Sequence, residues 1–181
     1  MATRRMIFAG LFAGLVAVLG YFPPIPLPFT PVPITLQTLG VMLAGGILGG
    51  RLGGVSMLVL VLLAAVGAPV LSGGGGGLAR LLGPTGGYIF GWIFGAYFIG
   101  ILVEKSFRSL SLFKVFIFNI VGGIIIIYAF GIPYLAYVTE MSLPVAFTTN
   151  LIYLPGDLLK AFVAALIIVR INKSYPIIRR G

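Results

Sequence analysis

The sequence contains no histidine and no cysteine, and its only acidic residues are Glu104, Glu140 and Asp157. The chain therefore has no thiol nucleophile, no disulfide and none of the usual ligands of transition metals. The three carboxylates lie in different segments, so a catalytic carboxylate pair is not expected. A Gly-Lys-Ser/Thr phosphate loop is also missing, and this argues against ATP hydrolysis by this chain. We predict no catalytic residue, no metal site and no cofactor.

Charge of either sign is scarce. Of the 181 residues, 60% are hydrophobic and 8% are charged, and the mean hydropathy is +1.18. A soluble domain carries about 25% charged residues. Apolar runs recur from Met6 to Ile171, and no polar stretch is long enough for a domain outside the membrane. Nothing alternates like a barrel strand, so the chain is predicted to be an all-α, polytopic membrane protein with a single domain, 1–181.

A helix needs about 20 apolar residues to cross the hydrocarbon core, or fewer where the bilayer is thin. The first apolar run has the basic start of a signal peptide, but it lacks a polar cleavage region and is predicted to be retained as a helix. Six segments fit a transmembrane helix, at about 6–22, 34–50, 53–70, 84–103, 113–137 and 144–170.

The placement of the cations predicts the orientation. The net charge is +9, but ten of the twelve cations fall on one side of a six-span chain, which argues for topology rather than nucleic-acid binding. The positive-inside rule makes that side the cytoplasm, with both termini inside. Two cations depart from this pattern: Arg80 lies in an outside loop, and Lys160 lies inside the last span. The ten are Arg4, Arg5, Arg51, Lys105, Arg108, Lys114, Arg170, Lys173, Arg179 and Arg180.

Two outside loops are predicted, at about 23–33 and 71–83. The first is too rich in proline to be helical, and it is either a rigid connector or a lid over a ligand site. The second contains the run "SGGGGG", then Arg80, then "GPTGGY" at the start of a helix. This loop is either a flexible linker or an anion-binding segment, because glycine backbone and a helix N-terminus both favour negative charge.

Small residues recur every four positions along the first helix, at Ala9, Ala13 and Ala17. Such a strip lets another helix approach closely. Two interpretations stay open: the strip packs inside the chain, or it docks a separate membrane protein.

The segment "YLPGDLLKAF" places Asp157 and Lys160 in an apolar span. A charge at the centre of a bilayer costs about 2.5–3.5 kcal/mol even on insertion scales. At positions i and i+3 the two side chains share a helix face and can pair. A buried structural ion pair is one interpretation, although such pairs stabilise weakly. The other is a polar ligand in a cavity open to the outside, bound by two acceptor oxygens and a cationic donor.

Three segments in order, "PVPITLQTLGVMLAG", "APVLSGGGGGLARLLGPTGGYIFG" and "YLPGDLLKAF", make the chain resemble the BioY family. These proteins are the biotin-binding S-components of energy-coupling-factor (ECF) transporters, and the likeness covers nearly the whole chain. It implies a multi-pass protein of a prokaryotic cytoplasmic membrane that captures biotin from outside. It also implies two kinds of partner, a transmembrane coupling protein and two cytoplasmic ABC ATPases. The Ala9, Ala13 and Ala17 strip would then dock the coupling protein.

The resemblance also implies a set of biotin-binding residues. Asp157 would accept from the ureido N–H groups, and Lys160 would donate to the ureido oxygen or pair with Asp157. The backbone of Gly86 and Gly87 would bind the carboxylate. The remaining predicted residues are Arg80, also for the carboxylate, Thr35 and Gln37, which would line the cavity, and Tyr88 and Trp92, which would form apolar walls or anchor at the interface. The alternatives are an S-component for another vitamin and an intramembrane enzyme with Asp157 as its base.

Overall fold

Helices make up most of this computed structural model, which describes residues 2–174. Two short strands form a hairpin, β1 (Ile25–Leu27) and β2 (Thr30–Ile34). A π-helical turn, Val121–Ile126, joins two of the helices. The α-helices are α1 (Ala2–Gly20), α2 (Gln37–Leu48), α3 (Gly50–Ala65), α4 (Leu78–Leu81), α5 (Gly86–Lys105), α6 (Leu112–Ile120), α7 (Ile127–Thr139), α8 (Leu143–Asn150) and α9 (Leu154–Ser174).

Within residues 2–174, four helical segments are long and apolar enough to cross a membrane: Thr3–Gly20, Gly86–Lys105, Leu112–Thr139 and Leu143–Ser174. They correspond to the first, fourth, fifth and sixth predicted spans. The second and third predicted spans were too long, because α2 and α3 have only 12 and 16 residues. The hairpin occupies the chain up to Ile34, so α2 begins late.

A single residue, Gly49, separates α2 from α3, and the first residue of α3 has a specific hydrogen-bond partner. Gly49 has a φ of +87°, in the region that favours glycine. The Gly50 N–H then donates to the Glu104 carboxylate of α5 over 2.9 Å. An acidic side chain from a neighbouring helix thus caps the N-terminus of α3. This contact also explains how Glu104 is accommodated at the end of an apolar helix.

The centre of the bundle is α5, which packs against α2, α3 and α7. Glycines allow the close approach: a Cβ at Gly45 would collide with the Ala96 backbone, and one at Gly100 would collide with the Gly50 backbone. Large apolar side chains also cover the outer surface, as Val66, Tyr137 and Phe113 do. Lipid solvates such a surface as well as protein does, so the hydrophobic effect does not drive the helices together. Close packing of small residues stabilises their association instead.

The proline-rich segment predicted as the first outside loop is not helical, and it forms a hairpin that the prediction of an all-α chain missed. Its strands pair Ile25 with Ile34 and Leu27 with Thr30. A two-stranded hairpin leaves both outer edges unpaired, which is where proline can occur without losing a ladder hydrogen bond.

The alanine strip of α1 faces the inside of the bundle. Ala9 and Ala13 are buried, and Ala17 is partly buried. Ser56 of α3 donates to the Ala9 carbonyl over 2.8 Å, which fixes α1 against α3. The prediction that the strip docks a coupling protein is therefore contradicted for Ala9 and Ala13, because a docking surface must be exposed. Internal packing, the other interpretation, accounts for the spacing.

Candidate functional site

A cavity lies beneath the hairpin and the glycine-rich loop. The space among its lining atoms is about 750 Å³, a volume that includes open solvent at the mouth. Its wall combines the end of the hairpin, the start of α2, the glycine-rich loop, one face of α5, part of α7 and the first turns of α9. Seven of the nine predicted ligand residues line it: Thr35, Gln37, Arg80, Tyr88, Trp92, Asp157 and Lys160.

Asp157 and Lys160 form an ion pair in the cavity wall. The Lys160 Nζ lies 2.8 Å from the Asp157 Oδ1, and the two side chains are 11% and 7% exposed. Pro155, near the start of α9, favours helix initiation there, and a carboxylate in the first turn suits the positive end of the helix. The pair thus combines a carboxylate with a cation at the edge of an apolar cavity.

Tyr128 and Thr38 complete this cluster, and the sequence interpretation missed both. The Tyr128 hydroxyl donates to the Asp157 Oδ2 over 2.6 Å. Lys160 donates to the Thr38 Oγ1 over 3.2 Å. Each oxygen of the carboxylate therefore already accepts one hydrogen bond and retains a further lone pair for a ligand.

A second pair of polar side chains lies next to this cluster. The Tyr88 hydroxyl donates to the Asn150 Oδ1 over 2.6 Å, and the Asn150 amide donates to the Ala146 carbonyl. The Tyr88 ring meets the Tyr128 ring edge-on, with centroids 6.3 Å apart. Tyr88 lines the cavity and its hydroxyl is bound to Asn150, and its role as an apolar wall for a ligand stays a prediction.

Gln37 is a structural residue as much as a lining one. Its amide nitrogen donates to the Val16 carbonyl over 3.2 Å and to the Val70 carbonyl over 3.0 Å. Both amide hydrogens are thus used to join α1, α2 and the segment after α3. Only its oxygen remains to accept from a ligand.

Arg80 lies on the short helix α4 and reaches back over the glycine-rich loop. A Cβ at Gly75 would lie 3.0 Å from the Arg80 Nε, so this glycine leaves room for the arginine side chain. Arg80 is exposed and lines the cavity. It therefore places a cation at the mouth, well separated in sequence from the Asp157–Lys160 pair.

Gly86 and Gly87 do not line the cavity, contrary to the prediction. A Cβ at Gly86 would collide with the Leu81 carbonyl, and one at Gly87 would come within 2.5 Å of the Tyr134 Cβ. The Gly86 N–H already donates to the Gly83 carbonyl. These glycines serve helix packing, and the neighbouring Thr85 lines the cavity instead.

Two polar side chains of the cavity wall are buried without a partner. Neither the Trp92 Nε1 nor the Ser72 Oγ has a hydrogen bond to any residue in the range 2–174. Both residues line the cavity. Buried donors are nearly always satisfied in folded proteins.

The chain as a whole matches the model of the BioY family over residues 1–177. It is 45% identical to "Biotin transporter BioY" of Rhizobium etli over 183 residues, which cover 98% of each chain. It is 44% identical to "Probable biotin transporter BioY" of Bacillus subtilis, over 93% of this chain and 90% of that one. The chain belongs to the BioY family.

A solved structure gives the same answer for the fold. The BioY chain superposes with a TM-score of 0.92 on the crystal structure of the S-component for biotin from an ECF-type ABC transporter. The two sequences are 34% identical, and the match covers 97% of this chain and 94% of the other. The predicted resemblance is thereby confirmed.

The site of this BioY protein was predictable only in part. Charges in an apolar span single out Asp157 and Lys160 from sequence alone. Tyr128 follows a run of four isoleucines, "IIIIYAFG", so a lone polar group in an apolar helix was the available signal. Thr38 and Ser72 carry no comparable signal.

Proposed function

We propose that this chain is the biotin-binding S-component of an ECF-type ABC uptake transporter, a transport subunit and not an enzyme. The observation that carries the proposal is the Asp157–Lys160 pair in the wall of the cavity, 2.8 Å apart. A pair that only stabilised the bundle would have no reason to lie beside empty space. Relatives named as biotin transporters supply the identity of the ligand.

The head of biotin is a cyclic urea with two N–H donors and one carbonyl acceptor. Asp157 has lone pairs left to accept from a ureido N–H after Lys160 and Tyr128 have each donated to it. Lys160 has three ammonium hydrogens, of which Asp157 and Thr38 take two. The third is available for the ureido oxygen.

The tail of biotin is a carboxylate on an aliphatic chain. Arg80 at the mouth offers a planar cation that suits a carboxylate. Leu71, Ile89 and Ile127 provide apolar surface in the same cavity wall. We therefore propose Arg80, rather than the Gly86 and Gly87 backbone, as the main partner of the carboxylate.

The proposed topology has six spans, with both termini in the cytoplasm of a prokaryotic cell. The support is the distribution of the cations, of which Arg179 and Arg180 lie outside the described residues. In this arrangement α2 and α3 cross a locally thinned bilayer, since short spans are accommodated in that way at modest cost.

The proposed partners are a transmembrane coupling protein and two cytoplasmic ABC ATPases. The support is the lack of a phosphate loop in this chain, together with the solved relative, which is named as part of an ECF-type ABC transporter. Whatever surface meets the coupling protein, Ala9 and Ala13 cannot reach it while they are buried.

The experiment that tests the function is a binding measurement on the purified protein. The detergent-solubilised full chain is stripped of ligand and titrated calorimetrically with biotin, thiamine and riboflavin, and mass spectrometry identifies what co-purifies. We expect saturable binding of biotin and no binding of thiamine or riboflavin. Tight binding of thiamine or riboflavin, with no response to biotin, would assign the chain to a different vitamin.

A further inference from the structure

The indole of Trp92 is the most unusual group in the cavity wall. The side chain is 5% exposed, and its Nε1 has no hydrogen-bond partner anywhere in the described part of the chain. An indole nitrogen can donate but cannot accept. A ligand that brings an acceptor into the cavity can therefore satisfy this donor.

The acceptors of Asp157 and of the neighbouring Asn150 already accept hydrogen bonds from other side chains. The Asp157 oxygens accept from Lys160 and Tyr128. The Asn150 oxygen accepts from Tyr88. None of these acceptors is paired with the indole, which remains an unpaired donor on a residue of the cavity wall.

The depth of Trp92 indicates which part of a ligand it meets. Trp92 lies one turn further along α5 than Tyr88, whose ring touches that of Tyr128. Tyr128 in turn binds Asp157. Lys160 lies nearly one turn beyond Asp157 along α9. In the proposed topology α5 and α9 both run inwards, so Trp92 lies deeper than Tyr88 and Lys160 lies deeper than Asp157.

A cyclic urea that enters oxygen first fits this arrangement. One ureido N–H then lies beside Asp157, and the adjoining carbonyl oxygen points deeper, between α5 and α9. That oxygen has two lone pairs, enough for the Lys160 ammonium and one further donor.

We propose that the Trp92 Nε1–H donates a hydrogen bond to the ureido oxygen of biotin. Trp92 is then a specificity-determining residue and not only an apolar wall. The inference rests on the proposed function, because it takes biotin as the ligand.

The chain contains a single tryptophan, so one resonance reports on this group. Protein labelled with nitrogen-15 tryptophan gives one indole N–H signal in detergent. Biotin has no aromatic ring, so it adds no ring-current shift of its own. We expect the indole proton to move downfield when biotin is added. If biotin binds calorimetrically while this signal fails to move downfield, the inference is overturned and the proposed function stands.

A binding cycle adds a second, independent readout. Trp92→Phe keeps an aromatic ring and removes the donor, and we expect it to weaken biotin binding about three- to tenfold. For 2-thiobiotin, whose thiocarbonyl is a poorer acceptor, the same substitution should weaken binding less. Equal losses for both ligands, or no loss for either, would refute the hydrogen bond.

The matched control is Tyr97→Phe, on the same helix but on an exposed part of its surface. It removes a polar group outside the cavity and should leave both affinities unchanged. Should Trp92→Phe fail to fold, the resonance of the unmodified chain still decides the question. A chain that binds no biotin at all would defeat the proposed function together with this inference.

Discussion

Replacing Asp157 and Lys160, first singly and then together, separates a ligand-binding pair from a pair that only holds the fold. The variants are Asp157→Asn, Lys160→Ala and the two combined. Asp157→Asn retains the shape of the side chain while it turns one acceptor into a donor. The combined variant removes both charges, so neither is left unpaired in an apolar wall.

The structure gives the expected effect on stability. The carboxylate is held by the Lys160 Nζ at 2.8 Å and by the Tyr128 hydroxyl at 2.6 Å, and both charged side chains are largely buried. Breaking one partner out of a buried ion pair costs about 3–5 kcal/mol, whereas removing both partners costs much less. We therefore expect each single variant to melt at a lower temperature than the combined variant.

The expected effect on binding has the opposite order. Hydrogen bonds to charged groups contribute about 1.5–3 kcal/mol each. Asp157→Asn also points an amide N–H at the ureido N–H groups. Each single variant should therefore bind biotin at least about tenfold more weakly, which corresponds to about 1.4 kcal/mol. The combined variant should bind more weakly still, although it is folded.

The assay is isothermal titration with biotin alongside thermal melting, on monodisperse protein in detergent. Lys114→Ala serves as the control, because Lys114 is an exposed cation that donates to Ser109 away from the cavity. Normal biotin affinity in a folded combined variant would refute the reasoning. The pair would then be structural, and the ligand would bind through other residues.

Three further predictions follow from the topology and the packing. The chain has no native cysteine, so single-cysteine variants can be made at Arg4 and Arg80. In intact cells we expect a membrane-impermeant thiol reagent to label the cysteine at position 80 and not the one at position 4. Labelling at position 4 instead would overturn the orientation. Ala13→Trp should lower the melting temperature and abolish biotin binding, because Ala13 is buried. The control Gly10→Leu should do neither, because there is open space around Gly10. A stable Ala13→Trp protein that binds biotin would contradict the packing. The Tyr153 hydroxyl holds the hairpin by donating to the Val32 carbonyl over 2.5 Å. Tyr153→Phe removes this hydrogen bond and should speed biotin release several-fold in stopped-flow measurements. An unchanged release rate would show that the hairpin does not retain the ligand.

The sequence determined the class of protein and the position of the charged pair. Hydropathy is a local property, so apolar segments long enough to cross a bilayer can be found without knowing which helices touch. Asp157 and Lys160 stood out for the same reason, because a charge is costly in any apolar span. The family likeness was also visible in three short segments.

The lengths of α2 and α3, and the strand pairing before them, were not predictable from hydropathy. The residues before α2 are apolar, but they form a hairpin in which Ile25 pairs with Ile34 and Leu27 with Thr30. The chain turns at Gly49, between α2 and α3, and Glu104 of α5 caps the N-terminus of α3. Such decisions depend on contacts between segments, which a window of sequence does not contain.

The tertiary structure alone decided which small and polar residues face each other. The spacing of the alanines on α1 was compatible with packing inside the bundle and with docking on its surface. In the structure Ala9 and Ala13 are buried, and Ser56 of α3 donates to the Ala9 carbonyl. Tyr128 reaches Asp157 across 29 positions of sequence, and Thr38 reaches Lys160 across 122. A hydroxyl stands out less than a charge in an apolar sequence, and its role is set by the partner that folding brings within about 3 Å. The charges could be read from the sequence because their cost is intrinsic, whereas the groups that bind them become visible only in the folded bundle.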